Sequence, residues 1–153
     1  MANPTKSSGF TQGAVGPPLI GALLRRPSET VRLHMLTRLH EHGFDDLEPA
    51  HLSVLQYPGP GGLRPSELAA RLGMSKQAVN YLLGQLERLG YLERRSDPDD
   101  ARSRRIALTE RGAAIVPVIR EAVAELERDW AGRLGAERFA QLRTLLVDLN
   151  ELI

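Results

Sequence analysis

Residues 75–90, Ser75-Lys76-Gln77-Ala78-Val79-Asn80-Tyr81-Leu82-Leu83-Gly84-Gln85-Leu86-Glu87-Arg88-Leu89-Gly90, carry the clearest periodicity in the chain. Val79, Leu82, Leu86 and Leu89 recur at three- and four-residue spacing, the mark of one apolar helix face. Ser75 stands where its hydroxyl can accept an amide proton left unpaired in the first turn. Gly90 can take the left-handed conformation that closes a helix. Gln77, Asn80 and Tyr81 fall opposite the apolar stripe and are exposed together. The same face could be no more than the solvated side of an amphipathic helix, so its meaning depends on what flanks it.

On the N-terminal side, Leu63-Arg64-Pro65-Ser66-Glu67-Leu68-Ala69-Ala70-Arg71-Leu72-Gly73 predicts a short helix that begins near Pro65 and stops at Gly73, with Leu68, Ala69 and Leu72 inward. A helix, a Gly-containing turn and a second helix form a helix-turn-helix. On the C-terminal side, 91–95 and 104–108 are short strand candidates around a turn that contains Asp97-Pro98-Asp99-Asp100. The expected fold class is mainly α with a small β-hairpin wing (α+β), a winged helix-turn-helix.

Further out the chain turns helical again. Pro17 opens a run with Leu19, Ile20, Leu23 and Leu24 on one side, which Pro27 is expected to interrupt. Ser28 then caps a second run through about His42, with Val31, Met35 and Leu39 as its stripe. Pro49 begins a helix carrying Leu52, Val54 and Leu55 that Pro58 must end, and 57–62 reads as a loop. Thr109 caps a long helix whose stripe runs from Ile115 or Val116 through Ile119, Val123 and Leu126 to Trp130, with Pro117 near its start. After Gly135 a last helix presents Phe139, Leu142, Leu145, Leu146, Leu149, Leu152 and Ile153, too apolar to lack a partner. The organisation expected is a flexible tail over 1–16, N-terminal helices over 17–48 and a winged helix-turn-helix over 49–108. Dimerisation helices over 109–153 complete it, the terminal helices forming one platform.

Charge agrees with this division. The chain has a formal net charge of +1, but residues 64–108 hold nine basic and six acidic side chains, whereas the part from Glu110 onward is net acidic. A basic middle suits a polyanion partner. The absence of cysteine excludes disulfides, thiolate nucleophiles and cysteine metal sites, and fits a cytoplasmic address. The N-terminus lacks a basic-then-apolar signal pattern and no long apolar run stands out, so neither export nor membrane insertion is expected. His34, His40, His42 and His51 are read as surface or pocket-lining residues, not a metal set, since zinc needs three or four ligands. No assembled catalytic group, cofactor loop or paired carboxylate is present, so an enzyme is not expected.

Residues 49–112 resemble the multiple-antibiotic-resistance regulator (MarR) family of bacterial transcription factors. The resemblance is carried by Pro65-Ser66-Glu67-Leu68-Ala69, Ser75-Lys76-Gln77-Ala78-Val79 and Leu86-Glu87-Arg88-Leu89-Gly90-Tyr91-Leu92. Above all it rests on Asp100-Ala101-Arg102 followed by Leu108-Thr109-Glu110-Arg111-Gly112. Each alone is weak; their order and spacing are specific. The resemblance implies a homodimer with interlocked terminal helices, recognition helices in successive major grooves of an inverted-repeat operator, and wings in the minor groove. It implies a repressor released by a small aromatic or phenolic effector, whose binding residues it does not identify. By position, Ser75, Lys76, Gln77, Asn80 and Tyr81 would face the major groove or its phosphates. Arg102 would be the wing-tip arginine, and Asp100 the acid that orients the wing by pairing with an arginine. Asn80-Tyr81 departs from the family pattern, where a small hydroxyl residue and an arginine are frequent, so no base preference is carried over.

The residue chemistry supports this placement. Asn and Gln can bond adenine bidentately and Lys can reach guanine in the major groove. An arginine on a narrow hairpin suits the negative potential of the minor groove. Arg94, Arg95, Arg104 and Arg105 then flank Arg102 as candidate phosphate contacts, with Asp97, Asp99 and Asp100 capping the turn or holding arginines. The alternative is a winged protein-interaction module with no operator.

Overall fold

The computed structural model describes residues 16–56 and 61–152, with the side chain of Ala101 left out. The expected tail over 1–16 therefore lies, but for Gly16, outside the described residues, as do 57–60 of the expected loop and Ile153.

Among the described residues six helices and one hairpin follow each other in the order α1 (Ile20–Glu41), α2 (Pro49–Leu55), α3 (Pro65–Leu72), α4 (Lys76–Arg88), β1 (Leu92–Asp97), β2 (Asp100–Leu108), α5 (Glu110–Leu134) and α6 (Ala136–Glu151). The caps of α4 and α5 are those the sequence called for. Ser75 Oγ accepts the Ala78 N–H at 3.1 Å and Thr109 Oγ1 the Gly112 N–H at 3.0 Å, each satisfying a first-turn donor. Gly73 and Gly90 close α3 and α4 at φ +60° and +79°, where a side chain would be strained.

Two expectations are corrected. The segment around Pro27 is one helix, not two: α1 runs unbroken from Ile20 to Glu41, and Ser28 lies in its interior instead of capping a second helix. Proline in a helix costs about 3 kcal/mol in isolation. Here Pro27 stays exposed and borders, with Leu23 and Trp130, an apolar cleft beside the contact of α1 with α5, and the contacts along α5 hold α1 as one helix. The wing strands are also longer than 91–95 and 104–108. The register pairs Leu92 with Leu108 through Ser96 with Arg104, then jumps so that Asp97 faces Asp100. Residues 101–103 thus have no partner in β1, and this bulge takes Arg102 and Ser103 out of the ladder.

The apolar core gathers between α2, α3, α4 and the base of the wing. Val54, Leu68, Val79, Leu83, Leu86, Tyr91 and Ile106 are buried there, with Leu39 of α1 and Ile115 of α5 closing its sides. Leu63 adds a short third rung, exchanging backbone hydrogen bonds with Ile106 at 3.0 and 2.7 Å. The N-terminal half of α1 and all of α6 lie outside this core. Leu19, Ile20, Leu145, Val147 and Leu152 are exposed, and α6 buries no residue.

Candidate nucleic-acid interface

α4 turns its apolar stripe, Val79, Leu82, Leu83 and Leu86, into the core. The period of 3.6 then leaves Ser75, Lys76, Gln77, Asn80 and Tyr81 on the outer side, all exposed. Ser75 differs from the other four because its oxygen is committed to the cap.

The wing folds toward the N-terminal end of α4. Between them lies a cleft of about 340 Å³ lined by Arg64, Pro65, Ser66, Lys76, Asn80, Arg94, Ser103 and Arg104. Four of the sequence-predicted residues, Lys76, Asn80, Arg94 and Arg104, meet there. Arg64 and Ser66 of the α3 entry join them. Sequence reading passed over these two because Arg64-Pro65-Ser66 reads first as a helix start.

Arg95 is not in this cleft. Successive strand residues point to opposite faces, so Arg95 leaves the hairpin on the other side from Arg94. It bonds Glu93 and lines a different cavity. Arg94 itself donates to Glu87 at 2.9 Å, and Arg104 to the Ser96 hydroxyl at 2.7 Å. Arg105 is largely committed inside the hairpin, its Nε 3.0 Å from Asp97 and its Nη2 3.2 Å from Asp99. The Nε contact is an ion pair too bent for a hydrogen bond. Arg102, on the bulge, is exposed and has no ion pair among the described residues.

The expected pairing of Asp100 with an arginine is also corrected. Its carboxylate accepts the Arg102 N–H at 3.0 Å and the Ser103 hydroxyl at 2.8 Å, closing the bulge on itself. These two bonds, Ser103 first, lower its pKa. The arginines are gathered by Asp97 instead, whose side chain has no exposed surface. Burial opposes its ionisation. The Asp99 N–H at 3.0 Å, Arg64 Nε at 2.7 Å and the Arg105 guanidinium outweigh that cost and hold its pKa at about 2. One buried carboxylate therefore ties the entry of α3 to both strands of the wing.

The Leu108-to-Gly112 motif does its work behind this surface. Arg111 stacks 4.4 Å above the Tyr91 ring and donates to Asp46 at 2.9 Å. The buried Tyr91 hydroxyl donates to the other oxygen of Asp46 at 2.5 Å. Burial, then the bond to Asp46, push the Tyr91 pKa upward. The start of α5, the end of α4 and the α1–α2 connection are thereby joined, which sets where the wing springs from.

Each histidine engages one hydrogen-bond partner or more. His40 and His42 bond backbone carbonyls of Leu47 and Arg38 at 2.8 and 2.7 Å, and His34 meets Glu125 at 3.0 Å. His51 lies between Glu48 and Gln85. Among the described residues no three metal-ligating side chains come together, and no helix is long and apolar enough to cross a membrane. A second cavity, of about 740 Å³, lies between α1, α2, the base of the wing and α5. Its lining includes Met35, Leu55 and Ile119 together with Arg95 and Arg120.

Comparison with known proteins bears on the same segment. Residues 45–103 match a model of the MarR family. An uncharacterised helix-turn-helix-type transcriptional regulator of Bacillus subtilis, YkoM, is 37% identical over 87 residues, 57% of this chain and 55% of that protein. The chain spans 55–63% of the length of the curated relatives it matches first. Apo MarR from E. coli superposes with a TM-score of 0.70 at 25% identity, covering 88% of this chain and 98% of that one. The repressor CouR, in a structure bound to a 23-mer DNA duplex, gives 0.66 at 28% identity over 86% and 92% of the two chains. The matched segment contains α2 through the bulge of the wing, and the superposed structures extend the agreement to the flanking helices. Together the matches support a winged-helix transcription regulator of the MarR family, with residues 45–103 as the matched segment.

Proposed function

We propose that the protein is a sequence-specific, double-stranded-DNA-binding transcriptional regulator that acts as a homodimeric repressor on an inverted-repeat operator in the bacterial cytoplasm. The observation that carries this reading is the cleft in which Arg64, Lys76, Arg94 and Arg104 surround Asn80, between the outer face of α4 and the wing. Four cations around an amide suit a nucleic-acid backbone beside a base edge: the cations fix register on phosphates, and Asn80 can bond adenine through two contacts. Lys76, Gln77 and Tyr81 extend that face along the major groove. Arg102, exposed on its bulge, suits the narrow minor groove alongside. The similarity to CouR, a repressor bound to a DNA duplex, supports the same reading.

The dimer is supported by the apolar side chains that α1 and α6 leave uncovered, Ile20, Leu145, Val147 and Leu152 among them. Two recognition helices must sit about 34 Å apart to enter successive major grooves. The cavity of about 740 Å³ borders both α5 and the base of the wing, so an occupant there would bias that spacing. Its apolar walls with Arg95 and Arg120 suit a small aromatic or phenolic anion.

A mobility shift on DNA flanking the protein's own gene, with random competitor and a salt titration, tests the reading. A discrete, competitor-resistant complex at dimer stoichiometry is expected, its affinity falling steeply with salt. Diffuse binding that random DNA competes away would remove the operator and favour a protein-interaction module.

A further inference from the structure

Behind the outer face of α4 a series of hydrogen bonds runs from the core to that face. His51 of α2 is 2% exposed, and a buried imidazole is costly unless its nitrogens are partnered. Nδ1 accepts the backbone N–H of Glu48 at 3.1 Å. A backbone amide can only donate, so the proton of the neutral ring sits on Nε2. Nε2 lies 3.2 Å from Gln85 Oε1 and donates to it. That bond turns the Gln85 amide so that its NH2 faces outward, where Nε2 donates to the Tyr81 hydroxyl at 3.3 Å. Tyr81 is one helical turn before Gln85 and 65% exposed.

Each bond sets the polarity of the next. With Gln85 donating to the phenol oxygen, the Tyr81 O–H is directed away from Gln85 and is free to donate outward. We propose that His51 and Gln85 are positioning residues that hold Tyr81 as an oriented hydrogen-bond donor for an acceptor atom of the DNA duplex. The inference rests on the DNA-binding reading above. It adds a chemical direction: Tyr81 meets an acceptor, such as guanine N7 or O6, thymine O4 or a phosphate oxygen, and not a donor such as an exocyclic amine. Without Gln85 the exposed phenol would rotate freely, and binding would bear the cost of ordering it.

The test is a double-mutant cycle in the full-length protein with Gln85→Met and Tyr81→Phe. Binding is measured on a duplex enriched by the wild type from a random-sequence library and on a scrambled duplex. Gln85→Met is expected to weaken binding about 2- to 10-fold when the Tyr81 hydroxyl is present and to add nothing in the Tyr81→Phe background. A loss confined to the enriched duplex identifies a base acceptor; an equal loss on both duplexes identifies a phosphate. No loss, or an equal loss with and without the hydroxyl, overturns the positioning role. The His51 tautomer, read from ring-nitrogen chemical shifts in the wild type without DNA, is expected to be Nε2–H. An Nδ1–H ring overturns the relay even if a variant fails to fold. Failure of the wild type to enrich any duplex overturns the DNA reading itself, and the inference with it, whatever the tautomer.

Discussion

Gly112→Ala puts one methyl group where the start of α5 meets the base of the wing. By helix propensity alone the change should help, because alanine is favoured over glycine by about 0.5–1 kcal/mol inside a helix. The local geometry decides otherwise. A Cβ at this position would lie 2.0 Å from the Tyr91 carbonyl oxygen, 3.0 Å from its carbonyl carbon and 3.1 Å from Leu108 Cδ2. The closest obstacle is backbone, so no rotamer change relieves it. Tyr91 O also accepts the Thr109 N–H at 3.1 Å, and Thr109 Oγ1 donates to Gly90 O at 2.5 Å, so the movement that makes room disturbs the cap of α5. Overpacking costs about 1–3 kcal/mol, and weakening one backbone hydrogen bond about 1 kcal/mol. Set against the propensity gain, the net destabilisation is about 1–3.5 kcal/mol. For a chain of this size that is a fall in Tm of roughly 2–14 °C. Thermal and urea unfolding followed by circular dichroism, at matched protein concentration, measure it. A variant as stable as the wild type, or more so, would show that the α5–wing contact yields freely and refute the reasoning.

Arg102→Ala should reduce DNA affinity and flatten the slope of log K against log salt by about one unit, with an unchanged Tm, since its side chain has no ion pair among the described residues. Anisotropy titrations over a salt series check this; an unchanged slope removes the wing tip from the interface. Asp97→Asn should change the acid limb of the stability curve. The wild-type pKa of about 2 lies below the ordinary 3.8, so the folded state gains stability above about pH 4 that is lost as pH falls through 2. Urea unfolding at about pH 5, 4, 3 and 2 should show a shallower decline in the variant, from a lower starting value; parallel curves would contradict the burial of that charge. Leu145→Glu, at a side chain 66% exposed in the single chain, should shift the protein toward monomer in sedimentation equilibrium. A dimer as tight as the wild type would exclude this face of α6 from the contact.

What was legible in the sequence was local. The caps of α4 and α5, the closing glycines of α3 and α4 and the apolar stripe of α4 each follow from a few neighbouring residues acting on their own backbone. The outer face of α4 was legible for the same reason: once Val79, Leu82 and Leu86 are inward, Gln77, Asn80 and Tyr81 have nowhere to go but out. Pro27 shows where such reading ends. It argues for a break from within the helix, and only the contact of α1 with α5, far along the chain, argues for continuity.

The wing was harder still. Its acids and arginines were visible as a cluster, but which acid holds which arginine depends on the bulge over 101–103, and a bulge is a property of two strands paired. Hence Asp97, not Asp100, became the buried anchor, Arg95 left the face that Arg94 occupies, and Arg64 and Ser66 joined the cleft from another helix. By itself, then, the sequence determined the helix-turn-helix, the hairpin and the polarity of the recognition face, because period, caps and turn residues act over one or two turns of chain. Only the tertiary structure decided which arginines remain free for a polyanion, because pairing of charges depends on distances between elements that no local pattern encodes.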